Sequence, residues 1–214
     1  MSADIETVVG IDVGGERKGF HAVALQNKVF EKTTSPNPHK ILDWCLHRKA
    51  KIVAVDAPCG WSLCGRSRQA ERELKLGKQK VSCFATPTRA QARAHTKGFF
   101  DWVFNGEKLY QLLAPQYPLF DGNRPAGRCS FETFPHGIVC FFAGKVVPAN
   151  PKIFNRRKVL IERGYDVNTL TNIDYIDAAL CAVAAAEFGQ GRPMHQFGTE
   201  DEGFIVLPRF ARLV

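Results

Sequence analysis

Apolar and polar positions through the opening of the chain follow the period of two expected of strands. Residues 7–13 (TVVGIDV) form a β-branched run that carries Asp12 at its end and is stopped by Gly14-Gly15. Residues 19–25 (GFHAVAL) and 28–34 (KVFEKTT) alternate in turn, with Gln26-Asn27 as a two-residue connection between them. Such spacing predicts an antiparallel meander of three strands. At Pro38 the period changes, and Ile41, Leu42, Cys45 and Leu46 fall on one face of a helix. Residues 51–55 (KIVAV) are then apolar throughout and lead to Asp56, with Ala57-Pro58 as the stop. A strand–helix–strand return of this kind predicts a right-handed crossover and a parallel pair.

Downstream, the pattern predicts a helix over residues 66–77 (RSRQAERELKLG) and another over about residues 96–113. Residues 130–134 (SFETF) read as a fifth strand broken by Pro135, and helices are expected over residues 136–143 and 151–163. Residues 174–188 (DYIDAALCAVAAAEF) are small and apolar nearly all round, which predicts a buried helix. Residues 203–207 are expected to add a last short strand. The whole reads as one α/β domain spanning residues 1–214, with a basic helical insertion at about residues 60–115 that caps the sheet edge.

Composition narrows the setting. The 214 residues are 45% hydrophobic and 23% charged, an ordinary globular balance. The longest apolar stretch, residues 178–186, is too short for a bilayer, and Met1-Ser2-Ala3-Asp4 has the features of no secretory leader. Seven cysteines at irregular spacing, with Cys45, Cys140 and Cys181 inside apolar patterns, point to reduced thiols in a cytoplasmic protein. The pairs offered by Cys59, Cys64, Cys83 and Cys129 lack zinc-ligand spacing. A formal charge of +8 favours a polyanionic partner, nucleic acid before membrane. A homodimeric assembly is compatible with all of this.

The candidate chemistry is acidic. Asp12 and Asp56 lie at the carboxyl ends of two strands expected to be neighbours, where ligands of such sheets gather. Glu132 lies on the fifth strand, and Asp174 and Asp177, three apart, share a face of the last helix. Asp177 has no evident structural purpose within an alanine-rich buried face, since an unpaired buried charge is costly. Grouped carboxylates repel unless a cation lies between them, and Mg²⁺ or Mn²⁺ suits oxygen donors. Asp12, Asp56, Asp174 and Asp177 are the candidate metal ligands, with Asp12, Asp56, Glu132 and Asp177 the candidate catalytic set. Each also has a plainer reading: turn former for Asp12 and Asp56, ion pair with an arginine such as Arg128 for Glu132, helix cap for Asp174.

Several segments together resemble an uncharacterised domain family predicted to be RNase H-like nucleases. They are Gly10-Ile11-Asp12-Val13-Gly14-Gly15, Val55-Asp56-Ala57-Pro58, Arg68-Gln69-Ala70-Glu71-Arg72-Glu73-Leu74 and Phe84-Ala85-Thr86-Pro87. Glu132-Thr133-Phe134-Pro135, Ile173-Asp174-Tyr175-Ile176-Asp177-Ala178-Ala179 and Glu202-Gly203-Phe204-Ile205-Val206-Leu207-Pro208 complete the ordered set. The resemblance implies an RNase H-like mixed sheet, three antiparallel strands extended by parallel ones, with helices on both faces. It further implies an acid cluster like that of Holliday-junction resolvases of the RuvC type, filled by Asp12, Asp56, Asp174 and Asp177. Glu132 has no clear counterpart in that pattern.

Arg66, Arg68, Arg72, Lys75, Arg89 and Arg93 are candidate contacts to a nucleic-acid backbone, with a solvated helix face as the alternative. Phe99, Phe100, Trp102 and Phe104 suit either base stacking or the core. The Gly14-Gly15 loop resembles the first phosphate loop of the actin and sugar-kinase superfamily, whose fold duplicates this unit; here it is expected to be a hairpin beside the metal site. His21 and His136 are candidate general bases. The expected function is metal-dependent hydrolysis of nucleic-acid phosphodiester bonds by two ions. The alternatives are a non-catalytic protein binding nucleic acid or a phosphorylated ligand on the same fold, and a small-molecule kinase or phosphatase.

Overall fold

The computed structural model describes residues 6–123 and 125–209, so the reading of Met1–Asp4 lies outside it. The elements are β1 (Val8–Val13), β2 (Phe20–Gln26), β3 (Val29–Ser35), α1 (Pro38–His47), β4 (Ile52–Asp56), α2 (Gln69–Glu73), the short hairpin β5 (Lys75–Leu76) and β6 (Gln79–Lys80), α3 (Arg89–Ala94) and α4 (Asp101–Leu113). They continue with β7 (Cys129–Glu132), α5 (Pro135–Ala143), α6 (Lys152–Glu162), α7 (Ile173–Gly189), β8 (Met194–Thr199) and β9 (Gly203–Pro208). Seven strands form one mixed sheet in the order β3-β2-β1-β4-β7-β9-β8. The meander β1–β2–β3 is antiparallel, β1, β4, β7 and β9 run parallel to one another, and β8 closes the edge antiparallel to β9. This is the RNase H-like arrangement. No helix among the described residues is long and apolar enough to cross a membrane.

Alternation sends each strand's residues to two different cores. Val9, Ile11 and Val13 of β1, with Val53 and Val55 of β4, join Ile41 and Cys45 of α1 and Leu109 and Leu113 of α4 on one face. Val8 of β1 and Ile52 and Ala54 of β4 pack with α5 and α7 on the other. By the same parity Gly10 and Asp12 lie on the α7 face, and so does Asp56. At Gly10 the helix comes so close that a Cβ would stand 2.0 Å from the Ala178 carbonyl oxygen and 2.2 Å from the Ala182 nitrogen. Only a residue without a side chain admits that approach. Gly189, at the far end of α7, lies over Ile52 at the start of β4, so the helix runs antiparallel to both strands and its amino end sits over Asp12 and Asp56.

Four elements depart from the pattern-based reading. The turn after β2 is Asn27-Lys28, one residue later than expected; both adopt positive φ, 51° and 64°, as a two-residue hairpin requires. The helix expected over residues 66–77 is only α2, because Leu74 takes an extended conformation (φ −62°, ψ 95°) and is fully buried. The Val81 amide donates to the Leu74 carbonyl at 3.0 Å, starting the hairpin instead. The helix expected to begin near residue 96 begins at Asp101, and α3 stands separately behind a capping box of Thr88 and Gln91. Strand β8 carries no clean alternation, being half-exposed along most of its length at the sheet edge.

Candidate metal centre

Register explains the centre. Asp12 pairs with Asp56 across the parallel β1–β4 ladder, so the two side chains leave the same face side by side. The first turns of α7, brought down by the contact at Gly10, place Asp177 close to both. One carboxylate oxygen from each of Asp12, Asp56 and Asp177 lies within 4.8 Å of the others. They open into a cleft of about 380 Å³ whose walls also include Lys18, Arg68, Glu71, Glu132, Lys152, Arg156 and Asp174.

Burial sets the electrostatics. Desolvation pushes the Asp12 carboxyl up to about 7; Lys18 opposes this, and Asp177 and Asp174 add to it. Asp56 is raised well above the carboxylate range by burial and by the charges of Asp12 and Asp177. Asp177 rises to about 6, again by burial, with Arg156 holding it down. The Arg156 guanidinium pairs with Asp177 Oδ2, both side chains being nearly buried. Asp177 therefore has the partner that its alanine-rich setting concealed, and the expectation of an unpaired carboxylate is corrected. Even so, Asp177 Oδ1 and Asp12 Oδ2 are buried and accept no hydrogen bond.

A three-acid cleft in which Asp177 Oδ1 accepts no hydrogen bond and Asp12 Oδ2 has only the Lys18 ammonium at 3.5 Å fits a hard divalent cation. Asp12, Asp56 and Asp177 would hold it. Zinc fits less well, since the seven cysteines are all free and none lies with these acids in a group of metal-ligand spacing.

Asp174 stands one step away. It does not cap the helix: Asn172 does, its Oδ1 accepting from the Tyr175 amide at 2.9 Å. Asp174 instead meets Lys18 Nζ at 2.5 Å and His21 Nε2 at 3.9 Å. Burial lowers the pKa of His21, and its Nδ1 has no partner. His136 contributes nothing to the cleft wall; its Nε2 lies 3.7 Å from Cys140 Sγ.

Glu132 is on the wall but is not free to act. Arg68, 1% exposed, grips it through two nitrogens at 2.5 and 2.7 Å, and the Cys59 amide donates to it at 2.8 Å. Its partner is thus Arg68 and not the neighbouring Arg128. Arg68 Nε also reaches Glu71 Oε1 at 2.9 Å, and Glu71 accepts from the Thr86 amide at 2.8 Å and from its hydroxyl. Glu202 accepts from the Leu63 and Gln69 amides at 2.8 and 2.6 Å. Four of the segments that carry the family resemblance, those containing Arg68, Thr86, Glu132 and Glu202, therefore meet in one buried ionic knot behind the cleft. That removes Arg68 from the set of backbone-contacting residues: a buried guanidinium saturated by carboxylates cannot meet a phosphate.

The other basic candidates divide by exposure. Arg66, Arg72, Lys75 and Arg93 are exposed; Arg89 is half-buried and paired with Glu107 at 2.7 and 3.0 Å. Phe99, Phe100 and Trp102 form a rim cluster with Phe84, whose ring lies 4.9 Å from Trp102, while Phe104 turns away to Trp61. Phe84 and Trp102 line the cleft, and Phe99 is 57% exposed. Pattern reading missed Lys18, Lys152, Arg156 and Asn105. The last holds the glycine loop, Nδ2 donating to the Gly14 carbonyl at 2.9 Å. No spacing signal marks them, because each acts across elements distant in the chain.

A sheet of this order, with two carboxylates at the ends of adjoining parallel strands and a third on the helix packed over them, defines an RNase H-like fold with an acidic centre. The chain belongs to the family described as "Protein of unknown function (DUF429)", whose model matches residues 10–202. Among solved structures it is similar to Thermus thermophilus RuvC, with 12% identity over 86% of this chain and 96% of that one and a TM-score of 0.42. No curated protein matches the chain.

Proposed function

We propose that the protein is a nuclease that hydrolyses nucleic-acid phosphodiester bonds with the help of Mg²⁺ or Mn²⁺. The observation that carries this reading is the convergence of Asp12, Asp56 and Asp177 within 4.8 Å, with a buried oxygen on Asp12 and on Asp177 that accepts no hydrogen bond. A divalent cation held there supplies Lewis-acid polarisation of a phosphodiester and a water nucleophilic at neutral pH. The chain's own residues do the rest. Lys152 and Arg156 on the cleft wall offer positive charge to a phosphate, and Arg156 favours the ionised form of Asp177 against its burial. Exposed Arg66, Arg72, Lys75 and Arg93 supply sequence-independent attraction to the strand. Phe84, Phe99 and Trp102 offer a stacking surface for unpaired bases at the rim.

The test is cleavage of single-stranded, duplex and four-way-junction DNA and of RNA with Mg²⁺, Mn²⁺ or EDTA. Cleavage that needs the ion and is lost in Asp56→Asn is expected. No cleavage of any substrate by the wild type would sink the reading.

A second reading, a nucleic-acid-binding protein without catalysis, is favoured by one observation: Lys18 and Arg156 already offset part of the acidic charge. Thermal stabilisation by Mn²⁺, absent in Asp177→Asn, separates the two; a non-metal binder shows no shift in either protein.

A further inference from the structure

Asp12 belongs to two acid groups at once. Besides its set with Asp56 and Asp177, it shares a second with His21 and Asp174, again with one ligand atom each inside 4.8 Å. A pair of ions would need both. The second group is already taken, since Lys18 Nζ lies 2.5 Å from Asp174 Oδ1 and 3.5 Å from Asp12 Oδ2. We propose that the centre takes one divalent cation, at Asp12, Asp56 and Asp177, and that the Lys18 ammonium serves in place of a second. Asp174 is then the anchor of Lys18, not a metal ligand. This rests on the metal-site reading above and replaces the expectation of two ions.

Three features hold the ammonium there. The loop from Gly14 to Gly19 closes on itself, the Gly14 amide donating to the Gly19 carbonyl at 2.7 Å and the Lys18 and Gly19 amides to the Gly15 carbonyl at 3.0 and 2.8 Å. The Lys18 stem folds back over Gly14, where a Cβ would stand 2.7 Å from Lys18 Cβ and Cδ; any other residue at 14 displaces the stem. Asn105 of α4 ties the same loop down through the Gly14 carbonyl. The ammonium is thus delivered by a braced hairpin, at the high local concentration of a tethered group.

Charge balance points the same way. One divalent ion together with Lys18 and Arg156 neutralises Asp12, Asp56, Asp174 and Asp177. A second divalent ion would add a double charge with nothing to oppose it in a largely buried cleft, which is unfavourable. Expulsion of Lys18 would in turn leave Asp174 without its closest cation.

Counting ions tests the proposal without reference to cleavage. Mn²⁺ is titrated into the wild type, Lys18→Met and Lys18→Arg, with bound ions read by electron paramagnetic resonance and by calorimetry. One Mn²⁺ per chain is expected in the wild type and in Lys18→Arg, and two in Lys18→Met. Two ions in the wild type, or a single ion in Lys18→Met, would overturn it. Asp174→Asn covers the case in which Lys18→Met fails to fold: it should keep its one ion with less than a tenfold loss of affinity, and loss of the ion refutes the assignment of Asp174 as anchor. A wild type that binds no Mn²⁺ at all fails the metal reading itself, a result distinct from binding two.

Discussion

The three central carboxylates differ in what opposes their charge. Asp177 has Arg156 and Asp12 has Lys18, whereas Asp56 forms no ion pair among the described residues. An acid raised by burial keeps a proton in the folded protein that the unfolded chain has already released. The ion-free protein should therefore lose stability as pH rises, for Asp12 between about 4 and about 7, and level off above. Mn²⁺ affinity should rise over the same interval, because the ion must displace those protons. Denaturant titrations at several pH values check both signs; stability that climbs with pH in the absence of metal contradicts them. Asp56→Asn should raise the ion-free stability at pH 8 by about 1–2 kcal/mol and abolish the Mn²⁺ shift, since it removes a carboxylate that desolvation and the charges of Asp12 and Asp177 disfavour in its ionised form. A less stable ion-free variant would show that Asp56 has a partner of another kind.

Between elements, two contacts set the geometry. The first is Gly10 against α7. A methyl group there meets helix backbone on two sides, so Gly10→Ala should push the helix outward and cost about 3 kcal/mol or more, measured by chemical denaturation. Because Asp177 travels with that helix, the Mn²⁺ shift should weaken as well. The second is the Arg68 knot, which joins α2 to β7 and to the loop before β9. Breaking a buried pair from one side leaves its partner uncompensated, so Glu132→Gln should destabilise by about 2–4 kcal/mol. The Mn²⁺ shift should survive in this variant. Its loss would return Glu132 to the candidate catalytic set.

Across the whole molecule the formal charge of +8 conceals a division of sign. The cleft gathers carboxylates, while Arg66, Arg72, Lys75 and Arg93 lie exposed on the segments after β4. A polyanion drawn by the second surface meets the first only where a cation softens it. Binding of an oligonucleotide should weaken steeply with salt, and Arg66→Ala with Lys75→Ala should reduce the logarithmic slope by about 1.4–1.8, that is, 0.7–0.9 per phosphate contact. Fluorescence anisotropy at several salt concentrations measures it; an unchanged slope would place the strand elsewhere. Arg68 makes no such contribution, since it is sealed inside.

Short-range physics left a readable trace in the chain. Period-two runs ending at Asp12 and Asp56, the Pro38 helix start and the alanine-rich stretch carrying Asp174 and Asp177 were enough to indicate the mixed sheet and the acids at its carboxyl edge. Those signals depend on neighbours within a turn or a strand, where spacing alone dictates which side a residue faces. What only the tertiary structure decided is which charges meet. Arg68 with Glu132, Arg156 with Asp177 and Lys18 with Asp174 join positions 64, 21 and 156 residues apart. No local periodicity records such a pairing, because the Coulomb interaction depends on distance in space and on burial, and both exist only once the sheet and its helices have packed.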